Sequence, residues 1–112
     1  MKKQIKNDQS INQEIKRYIK ILKDNKISVK KIILFGSFAK QKTHEFSDID
    51  LAVISDQFGK DEIAEMMKLK KLSIRVSNRI EPIPLSEDYF SMKLHPLIGE
   101  IKKYGKVVYS QG

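Results

Sequence analysis

The chain has 112 residues, a formal net charge of +8 and no cysteine. A hydrophobic fraction of 40% over this length supports one modest core, so we expect a single domain over residues 1–112. The absence of cysteine excludes disulfides and thiolate chemistry, and no apolar run is long enough to span a bilayer. The first residues lack a signal-peptide pattern, so the composition favours a cytoplasmic protein.

The N-terminal part of the chain is predicted to form a basic helical extension over residues 1–28. Residues 1–9 are polar, and we expect them to be frayed. Ser10 is suited to cap a helix that runs to about Asn25, because apolar residues then recur at helical spacing. They are Ile11, Ile15, Tyr18, Ile19 and Leu22. This stripe is expected to pack on the core.

Most of the excess positive charge lies in residues 1–31, which hold ten Lys or Arg residues and three acidic residues. Lys16, Lys20 and Lys23 align along the predicted helix. Two interpretations stay open for them: a docking surface for an acidic partner or polyanion, and the commoner solvated lysine face. Charge alone permits nucleic acid binding, but the sequence has no aromatic platform, zinc motif or reading helix to support it.

An apolar strand is predicted at residues 31–35, and a glycine–serine pair follows it. Gly36 and Ser37 lie where the strand gives way to a short helical turn, whose free N–H groups attract an anion. The glycine lets a phosphate approach the backbone, and the Ser37 hydroxyl adds a hydrogen bond. Lys40 is a candidate phosphate contact, although a solvated surface lysine is an equally good interpretation. In isolation, a Gly-Ser pair after a strand usually marks a simple turn.

The next predicted strand, at residues 48–54, begins with two alternating aspartates. Asp48 and Asp50 leave a strand on the same face, roughly 6 to 7 Å apart. Two carboxylates so placed can hold two divalent cations about 3.5 to 4 Å apart, which clamp the attacking and leaving oxygens of a phosphoryl displacement. An Asp-x-Asp pair alone usually marks a turn or a helix cap. The preceding Gly-Ser turn favours the metal interpretation.

The remaining elements are predicted from periodicity and from proline and glycine positions. A helix over residues 60–77 contains Met66 and Met67, which we expect to fill the core. A strand around Glu81 is predicted to lie at a sheet edge. Pro82 and Pro84 lack a backbone N–H, and alternate residues point their backbone groups to the same side, so that side of the strand cannot pair. A short helix at residues 86–92, a helix from Pro96 that Gly105 ends, and a strand at residues 107–109 complete the chain.

The segment FGSFAKQKTHEFSDIDLAVIS resembles the motif of the polymerase beta-like nucleotidyltransferase superfamily. That motif is an apolar residue, Gly-Gly or Gly-Ser, a loop of about a dozen residues, then Asp-apolar-Asp or Asp-apolar-Glu. From about Lys31 to Tyr109 the chain looks most like the minimal nucleotidyltransferases (MNT), the antitoxins of HEPN/MNT toxin–antitoxin pairs. The resemblance implies an α+β fold, a small mixed sheet flanked by helices, with residues 29–110 as the catalytic core. It also implies transfer of a nucleoside monophosphate to a hydroxyl with release of pyrophosphate.

The resemblance assigns roles to particular residues. Asp48 and Asp50 would hold two Mg²⁺ ions, and Gly36, Ser37 and Lys40 would bind the triphosphate. Glu81 matches the third carboxylate, although glutamate is the less common residue there and reaches about 1.5 Å further than aspartate. Glu87 and Asp88 are the alternatives for that position. Lys40 and Gln41 stand where many relatives have arginine and glycine.

The leading hypothesis is a Mg²⁺-dependent enzyme that moves AMP from ATP, or a nucleotide from another triphosphate, to a hydroxyl of a HEPN toxin. One alternative is an antitoxin that is catalytically weak or inactive and acts by binding alone. Another is a transferase that modifies a small molecule of the aminoglycoside type.

Overall fold

The structure is a computed structural model that describes residues 2–36, 39, 48–92 and 95–111, without the side chains of residues 2–10. The helices are α1 (Lys2–Asp24), α2 (Glu62–Ile74), α3 (Glu87–Phe90) and α4 (Pro96–Tyr104). The strands are β1 (Lys31–Phe35), β2 (Ile49–Ile54), β3 (Ile80–Leu85) and β4 (Lys106–Ser110). Among the described helices, none is both long and apolar enough to cross a bilayer.

The strands form one mixed sheet in the order β3-β2-β1-β4. β1 is antiparallel to both β2 and β4, whereas β2 and β3 are parallel. A parallel neighbour requires a crossover connection, and α2 supplies it. The α+β fold with a small mixed sheet is therefore confirmed. β3 lies at the edge of this sheet, as the prolines at positions 82 and 84 predicted.

Alternating side chains of the strands serve two separate apolar clusters, one on each side of the sheet. The first cluster joins the sheet to α1 and α2 and includes Tyr18, Leu22, Ile32, Leu34, Ile49, Leu51, Val53, Leu69, Leu72 and Ile80. The second joins the sheet to α4 and includes Ile33, Phe35, Ala52, Ile54, Leu85, Ile98 and Ile101. Because Asp50 is two residues before Ala52, its side chain belongs to the α4 side.

Helix α1 is longer than expected. It begins at Lys2, so the prediction of a frayed N-terminus with a cap at Ser10 is wrong, and Ser10 lies inside the helix. Residues 2–24 contain neither glycine nor proline, so nothing in the sequence interrupts the helix earlier. The expected packing of its apolar stripe is confirmed, because Ile11, Ile15, Tyr18 and Leu22 are buried. The basic extension therefore contributes part of the core.

The two methionines of α2 do not fill the core, contrary to expectation: Met66 is 45% and Met67 67% exposed. The helix buries Leu69, Leu72 and Ser73 instead. Met67 precedes Leu69 by two residues, or about 200° around the helix, and therefore points away from the sheet. Ile63 and Ile74 are exposed on the same outer face. We call Ile63, Met66, Met67 and Ile74 the α2 outer face.

A buried hydrogen bond ties the two helices on that side of the sheet together. The Tyr18 hydroxyl of α1 donates to the backbone oxygen of Leu69 in α2 at 3.0 Å. Burial raises the pKa of Tyr18 well above its ordinary value, so the hydroxyl keeps its proton and remains a donor.

Tyr18→Phe is expected to lower the free energy of unfolding by about 1 kcal/mol, because it removes this hydrogen bond and keeps the buried ring. Urea denaturation measures the change. Tyr109→Phe is the control, because it also removes a tyrosine hydroxyl and retains the ring that Lys23 contacts. Equal stabilities for the Tyr18 variant and the wild type would contradict the prediction.

Candidate active site

The two aspartates of the motif lie at the start of β2. Asp48 directly precedes the strand and is exposed, and Asp50 is half-buried. Ile49, which lies between the two aspartates, and Leu51, which follows Asp50, are fully buried on the opposite side of the sheet. The alternation of the strand therefore directs both carboxylates to the α4 side.

Glu81 comes beside these aspartates through the parallel pairing of β2 and β3. In that register Asp50 is the direct neighbour of Glu81. Paired residues on adjacent strands project to the same side of a sheet, so the third carboxylate joins the first two. Two sequence-distant segments thus place three acidic side chains at one end of the sheet.

Gly36 completes this arrangement from β1. Phe35 pairs with Asp50 in the antiparallel register, so Gly36 follows at the level of the acidic residues. Its φ is +75°, and a Cβ at this position would overlap Oδ2 of Asp50. Glycine is needed for both the backbone conformation and the close approach. Ser37 and Lys40, the other predicted phosphate contacts, lie outside the described residues.

The surroundings of Asp50 disfavour its ionised form. Burial, together with the smaller effects of the negative charges of Asp48, Glu81 and Glu100, raises the pKa of Asp50 to about 6. Glu100 lies in α4 and is not among the site residues predicted from the sequence. No motif contains Glu100, and only the packing of α4 against the sheet brings it near.

Lys70 of α2 was also missed by the sequence analysis. Its Nζ donates to Oε2 of Glu81 at 2.6 Å and to the backbone oxygen of Ile80 at 2.8 Å. The residues of this ion pair are eleven positions apart and belong to different elements, so helical spacing gives no signal for it. The pair places a positive charge directly beside the acidic face.

The alternative third carboxylates lie at the opposite end of β3. Leu85, the last residue of that strand, is four residues beyond Glu81, or about 13 Å along the strand. Glu87 follows it in α3 and forms an ion pair with Lys30 at 3.1 Å. Glu87 and Asp88 are thus too far from Asp50 to share a cation with it.

The acidic face fits a divalent cation that binds together with a nucleotide. Among the described residues, no three acidic or imidazole side chains form a ready-made metal site. Mg²⁺ commonly takes one or two carboxylates and completes its shell with water and substrate phosphates. Asp48 and Asp50 can supply those carboxylates, with Glu81 adjacent, and a cation there would favour the ionised form of Asp50, which burial and the neighbouring negative charges disfavour.

Gly36→Ala is expected to lower the free energy of unfolding by about 1 to 3 kcal/mol, because alanine disfavours the positive φ and its Cβ displaces Asp50. Gly99→Ala in α4 is the matched control, since nothing lies within 4 Å of the added Cβ and alanine favours a helix. Urea denaturation compares the two. The prediction fails if Gly36→Ala is as stable as the wild type.

The raised pKa of Asp50 predicts a pH dependence of stability. The folded state holds the proton up to about pH 6, whereas the ordinary pKa is 3.8. Between these values the unfolded chain binds fewer protons, so the stabilising contribution is present at low pH and is lost as pH rises through 6.

We therefore expect Asp50→Asn to gain stability relative to the metal-free wild type as pH rises from about 4 to 7. Thermal melting of both proteins across this range measures the difference in stability between them, in which the contributions of carboxylates distant from Asp50 cancel. A difference that does not change with pH would refute the assignment.

The chain matches a known family and several individual relatives. The family model described as Polymerase beta, Nucleotidyltransferase matches residues 13–112, and so extends into α1 beyond the segment identified from the motif. The Methanocaldococcus jannaschii protein MJ0604, named as a protein adenylyltransferase, is 32% identical over 85% of this chain and 94% of its own length. MJ1305 of the same organism, similarly named, is 34% identical over 71% of this chain, and the match spans 58% of MJ1305.

Solved structures of toxin–antitoxin complexes contain chains with the same fold. One is a crystal structure of a toxin–antitoxin with AMP-PNP, with 27% identity, a TM-score of 0.63 and coverage of 88% of this chain and 73% of that chain. Another contains a tri-AMPylated Shewanella oneidensis HEPN toxin with an MNT antitoxin, with 26% identity, a TM-score of 0.59 and coverage of 88% and 71%. With its glycine turn packed on an acidic strand, the chain belongs to the polymerase beta nucleotidyltransferase family.

Proposed function

We propose that this nucleotidyltransferase moves AMP from ATP to a hydroxyl of a HEPN-type toxin and thereby acts as its antitoxin. The observation that carries the proposal is the contact of Gly36 with Asp50, on a face that also presents Asp48 and Glu81. The structural relatives support the nucleotide and the partner, because one contains AMP-PNP and another contains an AMPylated HEPN toxin.

In the proposed reaction, the acceptor hydroxyl oxygen attacks the α-phosphorus of ATP. The bond from that phosphorus to the bridging α–β oxygen breaks, and pyrophosphate leaves with the electron pair. Asp48 and Asp50 would hold Mg²⁺, which when bound neutralises charge on the phosphates and on the reacting oxygens. Glu81 would complete one cation site and accept the proton of the hydroxyl.

The glycine turn would hold the nucleotide. Gly36 allows the triphosphate to approach the backbone, and Ser37 and Lys40 remain the predicted phosphate contacts outside the described residues. Catalysis would depend on positioning and on charge neutralisation, with no covalent enzyme intermediate.

A protein acceptor agrees with the apolar surface of α2. The side chains of the α2 outer face are between 45% and 77% exposed. Clustered exposed apolar side chains are typical of surfaces that contact another protein. A small-molecule acceptor would leave this surface without a role.

Asp48→Asn combined with Asp50→Asn is expected to reduce AMP transfer at least about 100-fold, because it removes the groups that hold the cation. The assay incubates the chain with a HEPN-type protein from a neighbouring reading frame, Mg²⁺ and ATP, and weighs the intact partner for added AMP. Circular dichroism checks that the fold is retained. Asp88→Asn is the control, since Asp88 lies at the far end of β3 and should leave transfer unchanged.

Two outcomes would favour the other hypotheses. A double variant that still protects cells from the toxin, with unchanged affinity for it, would indicate an antitoxin that acts by binding alone. Transfer to an aminoglycoside without a protein partner would indicate a small-molecule transferase. Retained transfer to the partner by the double variant would refute the assigned site.

A further inference from the structure

Lys70 is anchored at two points of the sheet edge. Its ammonium group donates to the backbone oxygen of Ile80 at 2.8 Å and to Oε2 of Glu81 at 2.6 Å. An ammonium group has three donors, so both contacts form together. The backbone contact fixes the charge relative to β3, and the Glu81 side chain is held against a stationary partner.

The edge position of β3 explains why Ile80 needs this contact. Among the described strands, β3 pairs with β2 alone, and the N–H of Ile49 bonds to the carbonyl of Arg79 on that side. Successive carbonyls of a strand point to opposite sides, so the carbonyl of Ile80 points to the other edge of β3, where none of the four described strands lies. α2 lies along this edge, and Lys70 supplies the missing donor.

Electrostatics explains why Glu81 needs a partner. Its direct neighbour on β2 is Asp50, and like charges on paired strand positions repel. Glu81 is 44% exposed, so in the absence of an anchor its side chain could turn into solvent, away from Asp50. The Lys70 ammonium opposes that rotation. Exposed ion pairs contribute little to stability, so the contact is better explained by orientation.

We propose that Lys70 is a positioning residue of the cation site, which holds Glu81 beside Asp50 by binding Oε2 and leaves the second carboxylate oxygen for the cation. This inference rests on the proposed function in one respect, that the acidic face binds a divalent cation with a nucleotide. Removing a group that orients a metal-binding carboxylate typically lowers the metal affinity by about 10- to 100-fold.

The test measures Mn²⁺ binding, because metal binding can be followed without any catalytic turnover. Free Mn²⁺ is followed by electron paramagnetic resonance in the presence of AMP-PNP. Lys70→Met keeps much of the aliphatic stem and removes the charge, and it should weaken Mn²⁺ binding about 10-fold or more. Lys70→Arg retains the charge and should restore most of the affinity. Lys71→Met is the matched control on the same helix and should bind as the wild type does.

A double-mutant cycle with Glu81→Gln separates positioning from a general effect of charge. If Lys70 acts through Glu81, Lys70→Met has no further effect on Mn²⁺ affinity in the Glu81→Gln protein. Thermal melting confirms that each variant is folded, and Lys70→Gln replaces Lys70→Met if that variant unfolds. Unchanged or tighter Mn²⁺ binding in the charge-removing variant, or equal effects in both backgrounds, would overturn the proposal.

The two proposals fail in different ways. A wild-type chain that binds Mn²⁺ through Lys70 and Glu81 but transfers no AMP would overturn the proposed function and support the role of Lys70. If the wild-type chain transfers AMP and the Lys70→Met variant binds Mn²⁺ as tightly as the wild type does, the proposed function is supported and the role of Lys70 is overturned. A wild-type chain that binds no Mn²⁺ with AMP-PNP would overturn both.

Discussion

The contact between Gly36 and the Asp50 carboxylate is the constraint on which the site depends. Antiparallel pairing of β1 and β2 brings the turn against the acidic strand, and the absence of a side chain at position 36 leaves room for the carboxylate. The same strands bury Ile49 and Leu51 on their other face. The core thus holds the backbone rigid directly beneath a group of mutually repelling carboxylates, whose repulsion a bound cation would relieve.

Helix α2 relates to the site through its buried leucines, through Lys70 and through its exposed apolar side chains. Leu69 and Leu72 pack into the core and fix the helix against the sheet. Lys70 reaches the free edge of β3 and binds Glu81. The α2 outer face is exposed and apolar, in a position to contact another protein. The helix that makes the parallel crossover therefore also links the acidic face to the exposed apolar side chains of the α2 outer face.

Local sequence pattern determined the elements that depend on neighbouring residues. The apolar run of β1, the alternation that places Asp48 and Asp50 together, and the edge position of β3 all follow from spacing along the chain. Helix α4 likewise begins at Pro96 and ends before Gly105, as predicted. The family motif also lies in one continuous segment, which is why the fold class could be identified before any tertiary contact was known.

Only the tertiary structure decided which distant residues meet. Glu81 neighbours Asp50 because the crossover through α2 sets a parallel register, and no local spacing encodes that register. Lys70 and Glu100 approach the acidic face because α2 and α4 pack on the sheet, and local spacing does not encode that packing either. The methionines of α2 were assigned to the core because apolar composition does not say which side of a helix is covered. That side is set by the surface against which the helix packs, and this surface is formed by segments that are distant in the sequence.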